Sequence, residues 1–171
     1  STSSTDRALG MLKSSTLTST IGAALLNTTG DIVTSLVITY TGEQWRFGAT
    51  ARNDRMDFQY STDATSLSTG TWTDVNALDF TAPTQSATGA FDGNAAANRA
   101  TMNATITGLS VPANATIWIR WLDFDATSAD DSLGIDDLSI FTPSNAPTAT
   151  PTQTPTETPT STPTPTPVSV G

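Results

Sequence analysis

The chain has 171 residues, sixteen acidic and seven basic side chains, a net charge of −9 at pH 7, and neither Cys nor His. Seven scattered cations form no basic patch for nucleic acid, and no apolar run reaches the ~18 residues of a membrane helix, so we expect neither nucleic-acid binding nor membrane insertion. The missing His and Cys exclude Ser-His-Asp triads, thiol nucleophiles and disulfides, and we expect a protein that is not an enzyme.

A period of two in the apolar side chains dominates the first 144 residues and predicts short, half-buried strands. The last strand is "LGIDDLSIF" (133–141), and further strands are predicted within 6–12 and 71–80. In chain order, the residues predicted to face inward are Ile21, Ala23 and Leu25; Leu36, Ile38 and Tyr40; Met56, Phe58 and Tyr60; Met102, Ala104 and Ile106; and Ile117, Ile119 and Trp121.

Clusters of turn-forming residues separate these strands, and they lie at 27–31, 41–48, 61–71, 91–94 and 110–114. The one helix-compatible stretch, "NAAANRATM", is expected to lead into a strand. About eight short strands at this spacing predict an all-β fold, a single antiparallel β-sandwich. A jelly roll is the favoured topology, and an Ig-like sandwich would give the same signals.

After residue 144 the chain consists almost entirely of Thr, Pro, Ser and Ala, so we predict a domain over 1–144 and an extended tail or linker over 145–171. Thr fills every even position from Thr148 to Thr166, and Pro occurs there only at odd positions. An extended strand of this pattern keeps its N–H groups on one edge, so it can pair with the sheet edge of a neighbouring copy. The other interpretation is a polyproline-like linker to a further domain.

Several stretches resemble a β-sandwich domain of secreted bacterial multidomain proteins, sometimes found beside extracellular nuclease or hydrolase domains. They are "DRALG", "ITYTGEQWR", "FQYSTDATSLSTGTWTDV", "FDGNAAANR" and "GIDDLSI", and together they span about residues 6–141. The last stretch is also similar to the final strand of jelly-roll carbohydrate-binding modules, which often carries an acidic pair. Such domains are usually accessories, so the resemblance implies no catalytic residues.

The "GIDDLSI" strand places a carboxylate toward the predicted core. With Leu138 and Ile140 facing inward, the period of two turns Asp136 inward as well. A buried carboxylate must be neutral, paired or bound to a metal. Its partner would be Ca²⁺, Arg7 or Arg120, and the resembling carbohydrate-binding modules often hold a structural calcium near such a strand.

Six Asp residues crowd the last two strands and their connection, and Ca²⁺ prefers six to eight oxygen ligands. The predicted ligands of a structural calcium are Asp136, Asp123 and Asp125. Asp130 and Asp131 are predicted to lie in a solvated loop.

Aromatic side chains beside polar ones are the candidates for a sugar-binding or contact surface. Trp121 shares a face with core residues, and Trp72 is expected to anchor the start of a strand. Trp118 and Arg120 share the opposite face, which would be a ligand platform or a subunit contact. Trp45 lies in "GEQWR" and would either stack on a sugar ring or cap one end of the sandwich.

Three Asn-x-Ser/Thr sequons occur, at Asn27, Asn103 and Asn114, and the strand register turns Asn103 outward. The Thr/Pro tail resembles O-glycosylated stalks. Candidate O-glycosylation sites in it are Thr152, Thr156, Thr160 and Thr164. These features predict a secreted or cell-surface protein.

Two functions fit the sequence. The first is a non-catalytic structural subunit that self-associates into an extracellular filament through its tail or a sheet edge. Such a contact joins two different surfaces of neighbouring copies, and a contact of this heterologous kind generates an open filament. The second is a carbohydrate-binding accessory module joined by a Thr/Pro linker to a secreted enzyme, with a polysaccharide as its partner.

Overall fold

The computed structural model describes residues 7–14 and 16–143, and the Thr/Pro tail with its candidate O-glycosylation sites lies outside them. Single 3₁₀ turns occur at Asn76–Leu78 and Ala96–Asn98. Within the described ranges, no helix has the length and hydropathy needed to cross a membrane. The strands are β1 (Leu9–Met11), β2 (Thr20–Leu26), β3 (Val33–Phe47), β4 (Arg55–Ser61), β5 (Thr73–Asp74), β6 (Phe80–Thr81), β7 (Gly89–Ala90), β8 (Arg99–Val111), β9 (Thr116–Asp123) and β10 (Ser132–Phe141).

All strand pairs are antiparallel, and they form two sheets. Sheet one has the order β1–β10–β3–β8, with β7 pairing the far end of β3. Sheet two has the order β2–β9–β4–β5, with β6 pairing the other end of β4. Each sheet alternates strands from the two ends of the chain, which is the double Greek key of a jelly roll. The predicted all-β sandwich and its jelly-roll topology are therefore confirmed.

The core lies between the inner faces of the two sheets. Ile38 and Tyr40 of β3 face Phe58 of β4 and Trp121 of β9, and each of them is at most 1% exposed. The Trp121 ring meets the rings of Tyr40 and Phe58 edge-on, at centroid distances of 5.3 and 5.1 Å. The Tyr40 hydroxyl donates to the Leu78 carbonyl at 2.5 Å, so its polar end is satisfied. Trp121 is a core residue, as predicted.

Three features of the strand prediction are corrected. The predicted turn at 41–48 is instead the second half of β3, which runs unbroken to Phe47 because β10 and β8 pair it on both sides. The predicted strand at 71–80 breaks into β5, a 3₁₀ turn and β6.

The third correction concerns β10. Asp136 pairs with Thr41, but Ser139 pairs with Thr39, so one extra residue bulges out of β10. Asp137 takes φ of 51° in this bulge. The side-chain alternation therefore shifts by one: Asp136 turns outward and is half-buried, and Leu138 is 42% exposed instead of packing in the core.

Candidate functional site

A polar groove of about 490 Å³ lies on the outer side of sheet two, along β4 and the chain from β5 to β6. We call it the sheet-two groove. It is lined by Arg55, Asp57, Asp74, Asn76, Asp79 and Thr81. The outward positions of β4 supply the first two side chains, because Met56 and Phe58 between them point into the core.

Several contacts fix the groove walls. The Arg55 guanidinium pairs with the Asp57 carboxylate and lies 4.1 Å above the ring of Phe124. Asp79 accepts the main-chain N–H of Phe58 at 2.8 Å. Burial raises the pKa of Asp79 above its ordinary value, against the lowering effect of that hydrogen bond. The groove thus presents carboxylates, an amide, a hydroxyl and a cation beside one half-exposed aromatic ring.

The predicted surface of Trp118 and Arg120 lies on the outer face of β9, next to the groove. The Arg120 guanidinium lies 3.8 Å above the ring of Trp72. Its Nε donates to Gln59 at 2.8 Å, and Nη1 donates to the Leu67 carbonyl at 2.5 Å. Trp118 is half-buried. Arg120 is thus held by three partners, and the 62–72 loop covers part of this face.

Gln59 joins this surface to the groove. Its side-chain amide accepts from Arg120 and donates to Asp74 at 2.6 Å. A continuous polar band therefore crosses sheet two from Trp72 to the groove.

Trp45 lies on β3, away from sheet two. Its indole N–H donates to Glu43 at 3.0 Å, and its ring lies so close to Gly93 that a Cβ there would come within 2.4 Å of it. The indole N–H and one face of the Trp45 ring therefore both make contacts within the fold. This geometry matches the capping alternative for Trp45 better than the sugar-stacking one.

A second polar cluster, which we call the acid pocket, lies at one end of the sandwich. It consists of Arg52 and the carboxylates of Asp54, Asp123, Asp130 and Asp131. Arg52 donates to Asp54 and Asp131, each at 3.0 Å. Asp130 and Asp131 are 6% and 1% exposed, so the prediction of a solvated loop is wrong: the loop before β10 folds inward onto the 48–54 segment.

The predicted calcium ligands do not come together. Asp136 lies on sheet one and accepts the main-chain N–H of Asp137 at 2.8 Å. Asp125 is solvent-exposed and pairs with Lys13 at 3.4 Å. Asp123 is buried at the end of β9. Among the described residues, no three Asp, Glu, His or Cys side chains are arranged to hold a metal ion.

The three sequons lie in different environments. Asn27 is 6% exposed, and its amide nitrogen donates to the carbonyls of Asp31 and Val111 at 2.8 and 2.9 Å. Attachment of a glycan would replace one of the two Nδ2 hydrogens and so break one of these bonds at a buried site, which does not fit the predicted modification. Asn103 is exposed on the outer face of β8, and Asn114 is exposed in the turn before β9.

Most groove residues were missed by sequence reasoning. Asp74, Asn76 and Asp79 lie in "TDVNALD", which the period of two assigned to a strand. The available signal for a turn that gathers polar side chains was the spacing Asp-x-Asn-x-x-Asp, in which Asn76 and Asp79 flank the apolar pair Ala77 and Leu78.

Comparisons with known proteins add little. No protein-family model matches the chain, and no curated protein matches it. One similar solved structure, described as "CBM4 structure and function", is 15% identical, covers 80% of this chain and 91% of its own, and gives a TM-score of 0.36. At that TM-score the likeness supports no statement about ligands. The β-sandwich is thus established by the strand order of this chain itself.

Proposed function

We propose that this protein is a non-catalytic carbohydrate-binding accessory domain of an exported protein, and that it contacts a polysaccharide through the sheet-two groove. The observation that carries the proposal is the groove itself: an open cleft whose walls carry carboxylates, an amide, a hydroxyl and the guanidinium of Arg55. Sugar hydroxyls both donate and accept hydrogen bonds. Carboxylates accept hydrogen bonds from them, guanidinium groups donate to them, and amides do both.

The groove also has the shape that a chain-like ligand needs. It is open at the surface, and the polar band through Gln59 and Arg120 extends it toward Trp72. Concave sites with few, well-positioned polar groups are the usual form of ligand sites. The resemblance of "GIDDLSI" and the preceding stretches to accessory domains favours the same function, and the full sequence has no His or Cys for catalysis.

The filament subunit, which the sequence favoured because of its tail, has less support. Its tail contact depends on residues 145–171, which lie outside the described residues. The groove, by contrast, is formed entirely by described residues. We therefore prefer the binding module to the self-associating subunit.

The test is a titration of the purified chain against a panel of soluble polysaccharides, followed by calorimetry with any that binds. We expect Asp74→Ala and Asn76→Ala to weaken binding roughly 10-fold each, because each removes a hydrogen-bonding group from an exposed wall. Thr105→Ala, on the outer face of sheet one, serves as the matched control and should bind like the parent. Flat titrations across the panel, or equal affinity in all variants, would reject the proposal.

A further inference from the structure

Strand β2 is an outer strand of sheet two, and among the described residues only β9 pairs with it. Its main-chain hydrogen bonds to β9 follow a fixed parity. At one end Asn27 donates to the Ala115 carbonyl, and at the other end the Ser19 carbonyl accepts from Asp123. In an antiparallel ladder this parity continues along the strand, so the even-numbered residues of β2 direct their N–H and C=O groups away from the sheet. These residues are Thr20, Gly22, Ala24 and Leu26.

The other outer strands have features that hinder pairing with another chain. β1, β5, β6 and β7 contain only two or three residues each. β8 is long, but it begins at the exposed Arg99, and its pairing with β3 shifts register near Gly108, which has φ of 73°. Short length, charge and bulges are the usual protections of a sheet edge. β2 has seven residues without charge, Pro or bulge, so its edge lacks these protections.

The surface around this edge is apolar. Of the large hydrophobic side chains that are exposed in the described part of the chain, half belong to the short segment from residue 9 to residue 26. They are Leu9, Leu12, Leu17 and Leu26, which are 46–60% exposed. They belong to β1, to the connection that follows it and to β2, and these two strands contact each other along one side of the sandwich. Clustered exposed apolar side chains mark an interaction site.

The charges along this side favour a second copy of the same chain as the partner. The chain has a net charge of −9, yet residues 8–30 include no acidic side chain. Their one cation, Lys13, forms an ion pair with Asp125, so it is locally neutralised. Two acidic copies can therefore approach each other here without bringing uncompensated carboxylates together.

We infer that β2 pairs antiparallel with β2 of a second copy, about a twofold axis at Ala23, to form a homodimer. In this register Gly22 exchanges both main-chain hydrogen bonds with Ala24 of the partner subunit, and Thr20 does so with Leu26 of the partner subunit. It is the register that engages all four outward-directed residues of both copies. The contact uses the same surface of each copy, so it closes as a dimer and does not grow into a filament.

The same register also brings apolar side chains together. On the inner face, Ile21 lies opposite Leu25 of the partner subunit, and both side chains are only partly buried against the core of a single copy. The dimer doubles the four-strand width of sheet two and places both sheet-two grooves on one broad face. A seven-residue edge is a small interface, so we expect a reversible dimer with a Kd on the order of 10 μM. The inference does not depend on the proposed function.

The first test uses the full chain without any variant. Sedimentation equilibrium from about 1 to 500 μM should show the mass rising from 17.8 kDa toward twice that value. Amide hydrogen exchange locates the contact. In dilute solution the amides of Gly22 and Ala24 should exchange faster than those of Ile21 and Ala23, which are bonded to β9. As the concentration rises, exchange at Gly22 and Ala24 should slow at least about 10-fold.

Two variants of one exposed position test the edge directly. Ala24→Pro removes an outward N–H and no bond to β9, and Ala24→Lys places a charge on the edge, so each should weaken association at least about 10-fold. Thr105→Lys adds the same charge on the outer face of sheet one and should dimerise like the parent. Melting curves in dilute solution show whether the variants are folded.

Three results would overturn the inference. The first is a monomeric parent over the whole concentration range. The second is a dimer whose Kd is unchanged in folded Ala24→Pro and Ala24→Lys. The third is exchange at Gly22 and Ala24 that does not respond to concentration, and this measurement decides even if a variant fails to fold.

Discussion

Single side chains in this protein behave differently from what their type suggests. Carboxylates ordinarily lie in solvent and stabilise a fold when ionised, but Asp123 is buried, and burial raises its pKa to about 7. The folded state consequently binds more protons than the unfolded state between the ordinary pKa of 3.8 and about 7. The stability contributed by protonated Asp123 is fully present below that window and is lost as the pH rises through it.

We therefore predict that the chain is less stable at pH 8 than at pH 5, by about 2 kcal/mol. Asp79, Asp130 and Asp131 also have raised pKa values, chiefly through burial, and they act in the same direction. Urea unfolding at the two pH values measures the difference. Asp123→Asn should show a smaller pH dependence, and a parallel loss of stability in parent and variant would contradict the assignment.

At the scale of elements, β3 organises the molecule because it is paired along both edges and packs against sheet two. Gly42, in its middle, lies opposite Phe80 of β6, and a Cβ at this position would come within 2.2 Å of the Phe80 ring. The glycine is thus required by the close approach of the two sheets. The position of Phe80 in the short strand β6 therefore favours glycine at position 42 of the long strand β3.

Gly42→Ala should destabilise the fold by about 1–3 kcal/mol, since the Phe80 ring must shift within a closely packed core. The measurement is the midpoint of chemical unfolding. Gly10→Ala, in β1, is the matched control, because its Cβ would meet the Leu133 carbonyl at an ordinary contact distance of 3.5 Å. Equal midpoints for the two variants would show that the sheets are free to move apart at Gly42.

The elements also show where sequence reasoning succeeds and where it stops. The alternation of apolar and polar side chains predicted β2, β3, β4, β8 and β9. Each of these strands has one face in the core, so every second side chain is apolar. It failed within β10, since a single inserted residue at Asp137 reverses every later side chain without altering the composition. The position of the bulge depends on how β10 pairs with β3. The local sequence of β10 carries no information about that pairing.

The acid pocket was out of reach for a related reason. Asp54 and Asp131 are 77 residues apart and meet only because their two loops pack together at one end of the sandwich. From sequence, Asp131 had the same features as any solvated carboxylate. The groove residues were missed likewise, because "TDVNALD" folds back along β4 instead of continuing as a strand.

At the scale of the whole molecule, the sheet-two groove, the exposed sequon Asn103 and the acid pocket occupy separate surfaces. The sheet-two groove lies on one broad face, Asn103 on the opposite one, and the acid pocket at the end where β4 begins and β10 begins. A glycan on Asn103 would therefore stand on the other side of the sandwich from the groove. Modification and ligand binding are thus compatible in one molecule.

If the chain is produced in a host that glycosylates Asn, we predict modification at Asn103 and Asn114 and none at Asn27. Intact-mass measurement and peptide mapping distinguish the three sites. The double variant Asn103→Gln, Asn114→Gln should have the mass of a chain without N-linked glycans. A glycan found on Asn27 would mean that its bonds to Asp31 and Val111 open during export or folding.

The neighbouring positions of β1 and β10 have a mechanical consequence. Leu9 pairs with Ile135 and Met11 with Leu133, so the N-terminal side of β1 and the C-terminal side of β10 point to the same end of the sandwich. Traction applied to both sides would load the bonds between the two strands one after another, like a zipper. β1, with three paired residues, would peel off at low force, whereas β10 would stay attached to β3.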